Sequence, residues 1–91
     1  MPIPDLVPDL AVEVLSTSNT TAEMDRKLRD YFTSGVRLVW LVDARPRQAT
    51  VCTAVDCCTV IDAAQTLDGG DVLPGFVLPL ADLFTILDQD M

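Results

Sequence analysis

Two short aliphatic stretches with a capped helix between them limit what this chain can build. Leu10 to Ser16 (LAVEVLS) is aliphatic on both faces apart from Ala11 and Glu13. That is the pattern of an interior strand covered on two sides. Val36 to Val42 (VRLVWLV) repeats it, with Arg37 as the exception. Between them, Thr20-Thr21-Ala22-Glu23 fits a capping box, in which a Thr hydroxyl and a Glu three residues on satisfy free amides at a helix start. Met24, Leu28, Tyr31 and Phe32 then recur at helical spacing, and Gly35 supplies a left-handed stop. A helix is expected from about Thr21. Strand, helix, strand in this order implies parallel strands joined by a right-handed crossover.

The rest of the chain extends the same layer. Asp43 to Gln48 (DARPRQ) is a turn leading to a third strand, ATVCTAV, and Cys58 to Ile61 can return as a hairpin partner. Leu67-Asp68-Gly69-Gly70-Asp71 has strong turn chemistry, and it lacks the further acidic ligands of a calcium loop. Leu80, Leu83, Phe84 and Leu87 give a C-terminal amphipathic helix. The expected class is α/β with a mixed sheet. Pro2, Pro4 and Pro8 make residues 1–8 an extended lead-in, leaving 9–87 as the folded part. A single domain of 91 residues buries only about 60 to 65% of its unfolded surface, so the stability margin is thin.

Composition narrows the classes of function. No apolar run approaches the roughly 20 residues of a membrane helix, and the opening MPIPDLVPDL lacks the basic start of a signal peptide, so a cytoplasmic location is expected. With no His in the chain, Ser16, Thr17 and Ser18 cannot join a Ser-His triad. Cys52, Cys57 and Cys58 do not have the spacing of a zinc site and are expected to be ordinary thiols. Trp40 and Tyr31 are expected in the core. The net charge of -8 opposes tight binding to a polyanion. It is unevenly spread. All six bases precede position 48 and meet seven acids there, a net of -1, whereas the remainder has seven aspartates and no base, a net of -7. A nucleic acid would approach the first half.

Glu13 is the residue that most needs a reason. A carboxylate on an otherwise apolar strand calls for a cation, a basic partner or a raised pKa. It lies three residues before Ser16, roughly 10 Å back from the strand end. Lys27 lies six residues past Thr21, roughly 9 Å along a helix running back beside that strand, so the two stand at about the same height. Lys27 also falls at the edge of the apolar stripe, away from Arg26 and Arg29. A structural ion pair, or a lysine lying along the stripe with its head in water, is the plainer alternative. Asp9 shares the Glu13 face of the strand but stands four residues, roughly 13 Å, away, too far to share one magnesium unless the strand bends. A place at the strand entry, or a supporting one beside the metal, suits it better.

Three segments in order, PDLAVEVLSTSNT, EMDRKLRDYFTSGVRLVWLVD and TLDGGDVLPGFVLPLADLF, closely resemble the Uma-two family of restriction-endonuclease-like proteins. The resemblance runs from about Pro8 to Phe84. It implies the C-terminal part of a PD-(D/E)XK nuclease fold and magnesium-assisted hydrolysis of a nucleic-acid phosphodiester, DNA being the first substrate to consider. Glu13 matches the strand acid that would bind the metal, with Asp9 in support. Lys27 matches a lysine moved from that strand onto the following helix, while Leu15 stands where an E-x-K motif has its lysine. The upstream segment that carries another metal-binding acid has no counterpart here, and Pro4-Asp5 does not replace it. The alternative is a non-catalytic, truncated interaction module. A sheet lacking its first strands exposes an edge, so a homo-oligomer is expected.

Overall fold

The computed structural model describes residues 8–15 and 19–89. The lead-in before Pro8, including Pro4-Asp5, and the loop residues Ser16, Thr17 and Ser18 lie outside these. The elements follow as β1 (Leu10–Leu15), α1 (Thr21–Ser34), β2 (Leu38–Asp43), β3 (Gln48–Ala54), β4 (Cys57–Asp62), β5 (Thr66–Asp68), β6 (Val77–Pro79) and α2 (Leu80–Asp88). Strands β1 to β4 form one mixed sheet in that order, β1 parallel to β2 and the other pairs antiparallel. The strand-helix-strand crossover and the mixed α/β class are as expected from sequence.

Local chemistry explains the helix bounds. The Glu23 amide donates to the Thr20 hydroxyl at 3.1 Å, and that hydroxyl donates to Glu23 Oε1 at 3.2 Å. Gly35 ends α1 at φ 108°, where its amide and the next reach back to Phe32 and Tyr31 carbonyls. One face of the sheet packs against α1 through Ala11, Leu28, Val36, Val39, Leu41 and Cys52. The other face meets α2 and the β5–β6 pair: Trp40, Val42, Ala49 and Ile61 close on Leu67, Leu80 and Phe84. The short β5–β6 ladder has no counterpart in the sequence reading, because three-residue strands separated by a long glycine- and proline-containing loop leave no periodic pattern.

Two expectations are overturned. β1 is not an interior strand covered on both faces. Among the described residues it has a neighbour on one side only, and Val12 and Val14 are 48% and 54% exposed. Helix α1 covers the Ala11, Glu13, Leu15 face, but α2 lies over the far part of the sheet and leaves Val12 and Val14 open. The cysteines are not three free thiols either: Cys52 and Cys58 form a disulfide, and Cys57 alone is free and exposed. The cause is register. A two-residue turn at Val55-Asp56 would by simple counting set Cys58 against Thr53, but a bulge between Cys52 and Ala54 shifts the pairing by one and sets Cys58 directly against Cys52.

Candidate functional site

The site is built where α1 crosses back over β1. The parallel register sets Glu13 beside Leu41 of β2, and strand alternation turns its side chain toward α1. There the ammonium of Lys27 stands 3.5 Å from Glu13 Oε2. The height argument from rise per residue therefore gives the right neighbour. Both side chains are half-buried, the lysine 40% and the glutamate 24% exposed. Lys27 lies at the edge of the α1 stripe, with Arg26 and Arg29 on the exposed side.

A third residue completes the cluster. The Tyr31 hydroxyl donates a hydrogen bond to Glu13 Oε1, so each carboxylate oxygen has its own partner. The hydrogen bond to Glu13, reinforced by burial and by the carboxylate charge, pushes the Tyr31 phenol up to about 12. Tyr31 was expected only as core. Its spacing held the missing signal: it follows Lys27 by four residues, one helical turn on the same edge, and so faces the same point on β1.

Asp9 is not drawn into the cluster. Its carboxylate lies 4.0 Å from the Arg37 guanidinium, and its backbone carbonyl accepts from the amides of Arg37 and Leu38, fixing the start of the β1–β2 pairing. Among the described residues no three acidic or cysteine side chains gather closely enough to hold a metal ion. Magnesium takes octahedral oxygen coordination and commonly uses one or two carboxylates. Here it would meet a single carboxylate whose two oxygens are already engaged. These residues therefore do not complete a magnesium site. What they can do is hold a carboxylate at a fixed angle beside a half-exposed ammonium.

The four-stranded mixed sheet with its parallel crossover defines an α/β domain. The chain belongs to the Uma2 family, described as "Putative restriction endonuclease", whose pattern matches residues 3–81. A solved structure, described as a "putative nuclease belonging to DUF820" from Anabaena variabilis, is similar over 90% of this chain with a TM-score of 0.76 and 20% identity. At that identity the likeness concerns the fold. The match covers 46% of that protein, so the chain spans about half its length. No curated protein matches. No helix among the described residues is long and apolar enough to cross a membrane.

Proposed function

We propose that this chain carries the Glu13 and Lys27 portion of a nuclease site acting on the phosphodiester backbone of nucleic acid, DNA being the first substrate to test. The observation that carries the reading is the Lys27 ammonium 3.5 Å from Glu13 Oε2 in a half-exposed position on the family's fold. An ammonium there can offset charge developing on a phosphoryl oxygen, and the carboxylate can orient a water or accept its proton. Tyr31 holds the carboxylate rotamer. Because the described residues do not complete a magnesium site, no step is assigned to the metal. A dependence on magnesium or manganese belongs to the test.

The test is cleavage of supercoiled plasmid with magnesium or manganese, comparing the chain with Glu13→Ala and Lys27→Ala. Loss of divalent-dependent cleavage in both variants supports the assignment, and cleavage indifferent to both defeats it.

A second reading has its own observation. Among the described residues β1 has an unpaired edge, with no Pro, Lys or Arg along the strand, and it carries the exposed Val12 and Val14. Such an edge is a template for strand addition. In this reading the chain is a non-catalytic module that pairs with a second copy through β1. Light scattering then gives a dimer that Val12→Lys converts to monomer, and a well-folded wild-type monomer rejects it.

A further inference from the structure

The most exposed strand of the sheet is also the one that is covalently tied. β4 lies at an edge, and Ile61 is its one buried residue; Cys57, Cys58, Thr59, Val60 and Asp62 are exposed. Apart from its ladder to β3, two anchors hold it: Ile61 in the α2-side core, and the bond from Cys58 to Cys52. Cys52 is fully buried in the α1-side core. It lies on a row that crosses the sheet from Ala11 through Val39 to Cys58. The two residues of one bond thus differ sharply in exposure. We propose that the Cys52–Cys58 disulfide is a reducible clasp that fastens β4 to the sheet and lets it open when a dithiol reductant is present.

The chemistry follows from that asymmetry. A thiolate of the reductant attacks the sulfur of Cys58, the exposed residue of the pair, forming a mixed disulfide and expelling Cys52 as thiolate. In its apolar surroundings the Cys52 thiolate takes up a proton. The reductant's second thiolate then attacks its own sulfur in the mixed disulfide and frees Cys58, which is also protonated. The reductant leaves as a disulfide, having supplied two electrons. Cys57 cannot substitute for Cys58 in the bond. It pairs with Ala54, and as the next residue along β4 it points to the opposite face of the sheet. Reduction therefore leaves β4 with one apolar anchor, and its amides between Cys57 and Val60 are the first to open.

Mass spectrometry of the full chain tests this in two readouts. Alkylation of the folded, non-reduced protein should label one cysteine, Cys57, and labelling after dithiothreitol and denaturant should reach all three. Hydrogen exchange of the β4 amides should accelerate at least about tenfold on reduction, consistent with loss of a short cross-link, while the α1, β1 and β2 amides stay unchanged. Cys58→Ser should exchange fast with or without reductant, and Cys57→Ser should keep the full difference. Three reactive cysteines in the non-reduced folded protein, a bond that includes Cys57, or β4 exchange indifferent to reduction would each overturn the proposal. Cys57→Ser retains the bond, so the test stands even where Cys58→Ser fails to fold.

Discussion

At the scale of residues, Glu13 is held by two donors of different kinds, and they respond differently to substitution. Tyr31 is the chain's single tyrosine, so its ionisation can be followed by phenolate absorbance without interference. In the fold it ionises at about 12, against an ordinary value of about 10. The neutral phenol is thus favoured by folding. That contribution to stability is complete below about 10 and is lost as pH rises through about 12. Glu13→Gln removes the carboxylate charge, and the Tyr31 transition should fall back toward its ordinary range. Lys27 separates function from stability. Its ion pair with Glu13 is half-exposed, and pairs of that kind contribute about 1 kcal/mol or less. Lys27→Met should therefore leave the melting midpoint nearly unchanged while removing cleavage. A large drop in melting temperature would show that the pair is structural.

At the scale of elements, the helices and main strands were legible because each has a local cause. The Thr20 cap, the Gly35 stop and the Leu80, Phe84 face all read directly from residue type and spacing. What was not legible depends on partners remote in sequence. A doubly aliphatic strand promises two covered faces, but whether α2 reaches Val12 and Val14 is set by where the chain returns. Likewise the Cys52–Cys58 pairing rests on a one-residue bulge. Truncating Phe84 to Ala, at 2% exposure in the α2-side core, should cost about 3 to 5 kcal/mol in denaturant unfolding. Gly35→Ala forces a Cβ into a left-handed position at the helix end and should cost about 1 kcal/mol. Gly69→Ala should cost more than Gly35→Ala, since its Cβ would come within 2.5 Å of the Leu73 backbone oxygen, which only a backbone shift relieves. A Gly69 variant as stable as wild type would show that the β5–β6 loop yields freely.

At the scale of the whole molecule, the fold divides between two faces the bases that the sequence keeps before position 48. Arg26, Lys27 and Arg29 lie on α1, whereas Arg47 pairs with Asp88 and covers the Phe84 ring on the α2 side, so the proposed nucleic-acid contact rests on the α1 bases alone. Among the described residues the β1 edge of the sheet is unpaired. The acid and lysine were visible in sequence through strand and helix rise, whereas Tyr31 was hidden under an aromatic that looked like core, and the separation of Asp9 from the cluster through Arg37 required the fold. The central claim is that Glu13 and Lys27 act together on a phosphodiester, and plasmid cleavage with magnesium or manganese measures it most directly. Nicking by the chain is expected to be abolished by Glu13→Ala and by Lys27→Ala in variants that remain folded; nicking that survives both substitutions would contradict a joint role for the two residues.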